Sequence, residues 1–362
     1  ATAQNNLAAA YKDRIRGDRA ENIEEAISRC ELALQVYTRQ EFPKDRAKTQ
    51  NKLAIAYADR IRGERAQNLE EAISRYELAL EVYTREDFPV DWAMTQHNLA
   101  DAYSNRIRGE RARNLEEAIS RCEQALEVFT RQASPVEWAT AQNNLAAAYK
   151  DRIRGDKAEN IEEAISRCEL ALQVYTRKNF PLDWAKIQHN LGNTYQDRIR
   201  GERAQNLEEA ISHYELALEV RTRQASPVDW AITQDNLAVA YKDGIREDGA
   251  QNIEEAISHY EQALEVRTPD TLPQECRDTA AFGLGRLLYF EDRFAEARRA
   301  LTIAHNAVEA LRGELQREGA KQKLAEENAD LYALLVHCCL TEDNEEAAFE
   351  YTVAGKGRAF VD

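Results

Sequence analysis

The sequence is poor in the residues that interrupt helices, with 14 glycines and 7 prolines in 362 residues. It also lacks any apolar run close to the roughly 20 residues that a membrane-spanning helix needs. Charged residues make up 31% of the chain, and alanine, glutamate, leucine and arginine dominate it. This composition is typical of a mostly helical protein and argues against a membrane-embedded one.

A basic excess is missing as well. The chain carries 48 Lys and Arg against 64 Asp and Glu, a formal net charge of −16. Because nucleic acids and anionic membranes bind through basic faces, we expect neither as a partner. An initiator methionine and a signal peptide are also absent, and the sequence starts inside a repeat, which indicates a fragment of a longer protein.

The six cysteines follow no metal-binding or redox motif. None forms a CxxC pair, and none has a histidine at zinc-ligand spacing. We therefore predict reduced thiols in a cytoplasmic protein, with no metal and no cofactor. Three cysteines share one position of a repeat with three tyrosines, which predicts a packing position. Its residues are Cys30, Tyr76, Cys122, Cys168, Tyr214 and Tyr260.

A 46-residue repeat runs through residues 1–276. The leucines that mark it are Leu7, Leu53, Leu99, Leu145, Leu191 and Leu237. It predicts six repeats, at 1–46, 47–92, 93–138, 139–184, 185–230 and 231–276. Residues 1–39 return at 139–177 with one difference, Arg19 against Lys157, which indicates the duplication of a three-repeat block. Such a duplication reflects history and does not by itself indicate an active site.

Each repeat holds two helical patterns. The first, helix A, opens at SPVEW in repeat four, where Ser134 can cap, Pro135 suits the first helical position and Glu137 can complete a capping box. Gly155 is predicted to end this helix in the left-handed conformation. A stripe at helical spacing faces the neighbouring repeats. Its residues are Trp138, Gln142, Leu145, Ala146, Tyr149 and Ile153.

The second pattern, helix B, opens at NIEE, where Asn160 is predicted to cap the helix and Glu163 stands three residues on. One such helix pair cannot bury its apolar face alone and must stack on its neighbours. We therefore predict an antiparallel helix pair in each repeat. The buried stripe of helix B is Ile161, Ala164, Ile165, Cys168, Leu172 and Tyr175.

These positions resemble the tetratricopeptide repeat (TPR). The loop RIRGDKAEN adds about six residues to the usual repeat, and beyond residue 276 two shorter pairs are predicted within 277–362. The resemblance implies an all-α, right-handed TPR superhelix, an α-solenoid of antiparallel helix pairs. The residues that carry it in repeat four are Leu145, Ala146, Tyr149, Ala164, Cys168 and Ala171.

A narrower resemblance extends over whole repeats. The pattern WAxTQxNLAxAYxDRIRGERAxNLEEAIxxYExALEVxTR is similar to cyanobacterial TPR arrays that precede a CHAT domain, a caspase-like cysteine protease module. The tail AAFEYTVAGKGRAFVD resembles the helix that leads into that module. The resemblance implies the recognition or regulatory region of a larger bacterial protein, whose catalytic His and Cys lie beyond residue 362.

The six copies differ most on one face of helix A. Four positions vary, and their spacings of 3, 4 and 3 residues place them opposite the Leu–Tyr stripe. In a TPR superhelix this face is the concave groove that binds peptides. A row of carboxylates follows it from Asp13 onward, broken by Asn105. The candidate groove residues are Lys48, Asn51, Ile55, Asp59, Met94, His97, Asp101, Asn105, Asn143, Lys150, Asp151, Lys186, His189, Asn193, Asp197, Asp235, Lys242 and Asp243.

Two alternatives stay open for this face. Exposed positions can drift because nothing constrains them, and the carboxylates can pair locally with arginines of the RIRG loop. Repeat six adds an acidic cluster, since it holds 3 basic and 10 acidic residues. That cluster is either a solvated face or a junction with a basic partner or a downstream domain.

A catalytic constellation is missing. His337 and Cys338 are adjacent, so on a helix their side chains point about 100° apart. Gly283 and Gly285 imitate part of a nucleotide fingerprint but open no strand–turn–helix unit. We therefore predict that the chain is not an enzyme and that it binds a protein or peptide partner as a scaffold. The alternative from another class is a structural module that self-assembles end to end.

Overall fold

The computed structural model describes residues 1–12, 14, 16–244, 249–266, 274–315 and 318–356. Within these ranges the chain forms helices and no strands, which confirms the all-α prediction for them. The chain divides into two compact units, Ala1–Asn179 and Phe180–Asp362. We call them the N-terminal unit and the C-terminal unit and describe each by itself.

The helices of the N-terminal unit alternate between A and B. Each A helix packs on the B helix that follows it, and each B helix packs on the next A helix. The A helices at Pro43, Pro89 and Pro135 start 46 residues apart. The eight helices are α1 (Thr2–Lys12), α2 (Arg19–Leu34), α3 (Pro43–Ala58), α4 (Arg65–Leu80), α5 (Pro89–Ser104), α6 (Arg111–Leu126), α7 (Pro135–Asp151) and α8 (Lys157–Leu172).

The C-terminal unit continues with two pairs of the same kind and then changes. Two further pairs follow, α13 with α14 and α16 with α17, and between them lies α15, a helix that the repeat pattern did not predict. The nine helices are α9 (Pro181–Gln196), α10 (Arg203–Leu218), α11 (Pro227–Asp243), α12 (Gly249–Val266), α13 (Gln274–Phe290), α14 (Phe294–Glu314), α15 (Glu318–Glu327), α16 (Ala329–Thr341) and α17 (Glu345–Gly355).

The start of helix A depends on proline and on the turn before it. Ser134 is the N-cap residue of α7, but its side chain makes no capping hydrogen bond, so the predicted capping box is wrong. The Thr130 hydroxyl instead accepts a hydrogen bond from the Ala133 backbone N–H at 3.2 Å, which fixes the turn. Pro135 then begins the helix with its backbone dihedral already set.

The loop from helix A to helix B also differs from the prediction. Helix α7 ends at Asp151, and Gly155 adopts a left-handed φ of +80° inside the loop and not at the helix end. Ile153 lies beyond the helix and is 61% exposed, so its assignment to the buried stripe is wrong. The predicted stripe therefore stops one residue short, at Tyr149.

Helix B begins earlier than predicted. The carboxylate of Asp156 accepts a hydrogen bond from the Glu159 backbone N–H at 2.9 Å, so Asp156 and not Asn160 caps α8. Asn160 is buried in the first turn, where its side-chain amide donates to the Arg154 carbonyl at 2.8 Å. This asparagine therefore fastens the preceding loop to helix B.

Small side chains let the helices approach closely, and one large side chain per repeat fills what remains. A single apolar cluster joins Ala72, Leu99, Cys122 and Leu145, so repeats two to four share one core. The predicted packing position is buried in every repeat, with its Cys or Tyr at most 2% exposed. Burial of a large apolar side chain stabilises by about 1.5–3 kcal/mol.

Candidate partner-binding groove

The predicted groove residues differ in exposure. Eight are exposed, namely Lys48, Asp59, Asp101, Asn105, Asp151, Lys186, Asp197 and Asp243. Seven are half-buried, namely Asn51, Ile55, Met94, His97, Lys150, Asn193 and Lys242. The remaining three are buried, namely Asn143, His189 and Asp235.

The expectation of an open surface is wrong for the three buried residues. They occupy equivalent positions of helix A and are at most 8% exposed. His189 shows the physical reason, because its Nδ1 lies 3.1 Å from the Thr233 hydroxyl and its Nε2 lies 3.4 Å from the Asn236 amide. The next A helix thus covers this position, and its polar groups hydrogen-bond across the joint.

Half-buried groove residues of the N-terminal unit also connect successive A helices. The Asn51 amide donates to the Thr95 hydroxyl at 2.8 Å, and the Asn144 amide nitrogen lies 3.4 Å from His97 Nε2. Lys52 donates to the backbone carbonyl of Asn5 at 3.1 Å. These side chains therefore connect successive repeats.

The same arrangement recurs inside the C-terminal unit. The Tyr214 hydroxyl lies 2.7 Å from Asn193 Oδ1 and 2.9 Å from Gln196 Oε1, and it donates its one proton to either oxygen. The Asn236 amide donates to the same Asn193 oxygen at 2.9 Å. Asn193 therefore ties a helix A to its own helix B and to the next helix A.

The carboxylate row is paired, although not with the partners expected. Asp59 lies 3.8 Å from Lys12, and Asp151 lies 3.6 Å from Arg111. Asp243 lies 3.5 Å from Arg203. Asp151 also lies 3.2 Å from the adjacent Lys150, and Asp243 lies 3.1 Å from Lys242. Arg111 and Arg203 are first residues of B helices in the preceding repeat, so the alternative of pairing with RIRG arginines does not describe these carboxylates. Asp13 lies outside the described residues.

Sequence reasoning missed a set of bidentate ion pairs between neighbouring repeats. The first arginine of an RIRG loop donates Nε and Nη2 to both carboxylate oxygens of a glutamate in the preceding helix B, at 2.7–2.8 Å. The same guanidinium lies over the tyrosine ring of its own helix A. We call these contacts the inter-repeat clamps, and in the N-terminal unit they are Arg60–Glu24, Arg106–Glu70 and Arg152–Glu116.

The clamps change the acidity of their glutamates. A hydrogen bond from Arg106 lowers the pKa of Glu70, against the opposing effect of burial, and Arg152 does the same to the pKa of Glu116. The signal for these pairs was present in the sequence as a constant glutamate and an arginine 36 residues later. Their partnership became visible only when the repeats were stacked.

Lys48 and Asp101 are the exposed groove charges of the N-terminal unit that make no ion pair within the described residues. Burial raises the pKa of Tyr76, and the charges of Asp101 and Asp59 raise it further. Such a carboxylate can accept hydrogen bonds from a cationic or amide group of a bound chain. The glutamates and aspartates of repeat six between residues 245 and 248 lie outside the described residues.

The cysteines do not form reactive sites in the described part of the chain. Burial raises the pKa of Cys30 to about 11, of Cys122 to about 12 and of Cys338 to about 11. His337, the neighbour of Cys338, packs edge-on against the Tyr289 ring at 5.3 Å. These thiols are protonated packing groups at neutral pH.

The described residues contain neither a metal-binding cluster of side chains nor a membrane-spanning helix. No group of His, Cys, Asp and Glu among them is arranged to hold a metal ion. None of their helices has the length and apolarity needed to cross a membrane.

The chain carries tetratricopeptide repeats. The model of the tetratricopeptide repeat matches residues 1–36, 92–130 and 138–177. No curated protein matches the chain in sequence. The family match thus covers repeats one, three and four, which hold cysteine at the shared packing position.

Solved structures share the all-α repeat solenoid. The apo form of the quorum sensor NprR from B. thuringiensis has a TM-score of 0.55 at 15% identity, covering 92% of this chain and 82% of that one. Apo RapI has a TM-score of 0.51 at 15% identity, covering 85% and 98%. A human IFIT1 dimer with PPP-AAAA has a TM-score of 0.51 at 16% identity, covering 94% and 70%. At these identities the likeness shows the fold alone.

Proposed function

We propose that this chain is a protein-interaction scaffold and that the helix A face of its N-terminal unit binds an extended segment of a protein partner. The observation that carries the proposal is the contrast within one helix. Packing residues are constant among the copies, whereas the exposed positions around Lys48 and Asp101 vary in charge and size. Variation on an ordered, polar and accessible face is what recognition of one particular sequence requires.

The charge of the chain favours protein over nucleic acid as the partner. A formal charge of −16 repels phosphate backbones, so the PPP-AAAA that accompanies the human IFIT1 dimer is a poor guide to the partner of this chain. A cytoplasmic location fits five described cysteines that are free thiols.

Charge reversal tests the proposal. Partner recovery by the wild-type chain is compared with recovery by Lys48→Glu and Asp101→Lys, which alter exposed groove charges without removing a contact between repeats. Glu169→Lys, an exposed substitution on helix B of repeat four, is the matched control. We expect the groove variants to lower recovery at least about fivefold and the control to leave it unchanged. Equal recovery by all four chains would exclude this face.

We further propose, on the sequence resemblance alone, that the scaffold regulates a C-terminal CHAT protease of the caspase-like class. The resemblance of the tail supports this, although residues 357–362 lie outside the described residues. The coding sequence after Asp362 tests the proposal directly. A downstream domain without a His–Cys pair would contradict it.

Self-association is a second candidate function, favoured by a row of exposed isoleucines. Ile61, Ile107 and Ile153 stand at equivalent positions of the RIRG loops and are 59–61% exposed. An apolar residue that is kept on a loop surface in successive repeats can serve a contact with a second copy. Light scattering over a concentration series tests it, with Ile61→Ser/Ile107→Ser/Ile153→Ser as the variant. Assembly by the wild type and not by the variant supports this candidate, and a monomer at every concentration rejects it.

A further inference from the structure

A cavity of about 180 Å³ opens in the N-terminal unit among α1, α2 and α3. Its walls are alanines and Ile55, and Cys30 of α2 lines it from the side of helix B. Lys12 of α1 and Lys52 of α3 complete the lining. Because Lys12, Lys52 and Ile55 lie on the varied face of helix A, the cavity belongs to the proposed groove.

The other repeats show what kind of group fits here. Cys30 occupies the position that Tyr76, Tyr214 and Tyr260 fill with a phenol ring in repeats two, five and six, each at most 2% exposed. The cavity therefore lies where three sister repeats place an aromatic side chain. An apolar cavity of ~150 Å³ holds a benzene ring, so the space beside Cys30 is large enough for one.

The charge of the cavity lining distinguishes the junction between repeats one and two from the equivalent junctions between other repeats. Lys12 and Lys52 are its only charged residues. At three other junctions inside the two units the equivalent pairs are Ala58 with Asn98, Ser104 with Asn144 and Gln196 with Asn236. Of these four junctions, only the first holds two lysines.

The lining itself contributes two positive charges and no negative one. Lys12 lies 3.8 Å from Asp59, a long ion pair with a residue outside the lining, and its side chain is 34% exposed. Lys52 donates to the backbone carbonyl of Asn5 at 3.1 Å. Burial raises the pKa of Cys30 to about 11, so this thiol adds no charge at neutral pH.

We propose that this cavity is a binding subsite for an aromatic side chain of the partner segment, phenylalanine or tyrosine, flanked by aspartate or glutamate. The ring takes the place that tyrosine takes in the sister repeats, and the neighbouring carboxylate pairs with Lys12 and Lys52. The inference rests on the proposed function, since it names the chemistry of a segment bound in that groove.

A peptide selection separates the proposed function from the subsite. A random nine-residue library is selected on the full chain, and the bound peptides are titrated by isothermal calorimetry. We expect enrichment of an aromatic residue beside Asp or Glu, with a loss of affinity of at least about tenfold when the aromatic residue becomes Ala. Enriched peptides without this pattern would leave the proposed function standing and overturn the subsite. No enrichment would overturn both.

Filling the cavity provides the structural test. Cys30→Tyr introduces the side chain that three sister repeats already accommodate, and we expect it to weaken the enriched peptide at least about tenfold while the circular dichroism spectrum stays that of the wild type. Tyr76→Cys is the matched control, because it opens the next junction without adding a lysine, and we expect unchanged affinity. Unchanged affinity of Cys30→Tyr would overturn the subsite.

Two further variants keep the test decisive. Cys30→Tyr/Tyr76→Cys moves the empty position to a junction lined by Ala58 and Asn98, and recovery of binding there would show that the lysines are not required, against the proposal. If Cys30→Tyr fails to fold, Lys12→Gln/Lys52→Gln takes its place. We expect this variant to lose affinity and the salt dependence of binding, and retention of both would overturn the subsite.

Discussion

Removing one inter-repeat clamp is expected to weaken the stacking of two repeats by about 1–2 kcal/mol. In the second clamp, Arg106 and Glu70 form two hydrogen bonds at 2.7 and 2.8 Å, and their side chains are 27% and 22% exposed. A partly buried bidentate pair belongs near the upper end of the ~0–1 kcal/mol found for surface ion pairs. The Arg106 guanidinium also lies 5.6 Å from the Tyr103 ring centre, a contact worth ~0.5–1 kcal/mol. Arg106→Ala removes both the ion pair with Glu70 and the contact with the Tyr103 ring, whereas Glu70→Gln removes mainly the ion pair.

A double-mutant cycle of Arg106→Ala and Glu70→Gln measures the coupling. Because a repeat array need not unfold in one step, urea denaturation is combined with hydrogen exchange of the amides in α4 and α5. We expect a coupling free energy of about 1 kcal/mol. Arg62→Ala is the control, since Arg62 is 55% exposed and approaches Glu21 only to 3.9 Å. A coupling indistinguishable from zero would refute the assignment of the clamps as the links between repeats.

Three further outcomes are expected from single substitutions. The clamp with Arg106 lowers the pKa of Glu70 from its ordinary 4.5. The stabilisation that the clamp provides is therefore complete above pH 4.5 and is lost as the pH falls through the pKa of Glu70 in the folded chain. Glu70→Gln should therefore show a shallower loss of stability in acid titration, and parallel curves would contradict this. Tyr214→Phe removes the hydroxyl that donates to Asn193 or Gln196 and should cost about 1–2 kcal/mol in urea denaturation. Tyr76→Phe should cost less than about 0.5 kcal/mol, because its hydroxyl makes no hydrogen bond within the described residues. An equal loss of stability in Tyr214→Phe and Tyr76→Phe would contradict this reasoning. Gly63→Ala should cost about 1–2 kcal/mol from its φ of +81°. A Cβ at Gly63 would make only ordinary van der Waals contact, with Asn68 Oδ1 the nearest atom at 3.6 Å, so a neutral substitution would show that the loop readily changes conformation.

The fold was predictable because its information is periodic. Six leucines at one spacing, and a position that accepts either Cys or Tyr, specify stacked helix pairs whatever the details of each loop. Loop details were harder to predict, since Asn160 suits a cap by residue type but serves a buried contact to the Arg154 carbonyl. Ile153 fits the helical period in sequence, yet the helix ends before it.

The candidate groove was predictable only in part. Helical spacing identifies which residues share a face, and it correctly separates the varied positions from the leucine stripe. It does not show how much of that face the next helix covers, and this coverage buries His189, whereas Asp101 stays exposed. The cavity beside Cys30 depends on side-chain volumes from three helices, which no single stretch of sequence contains.

The inter-repeat clamps also bear on how the array changes length in evolution. Both members of a clamp are the same in successive repeats and stand one repeat apart, so unequal recombination between two copies regenerates the contact at the new junction. The near identity of residues 1–39 and 139–177 shows that the duplication preserved the packing residues of the first repeat of the block, whereas the third repeats differ at the shared packing position, with Cys122 against Tyr260. Such an event leaves the scaffold intact and rearranges the order of its groove side chains. An inherited change in the number of repeats can therefore produce a new arrangement of groove side chains from existing repeats.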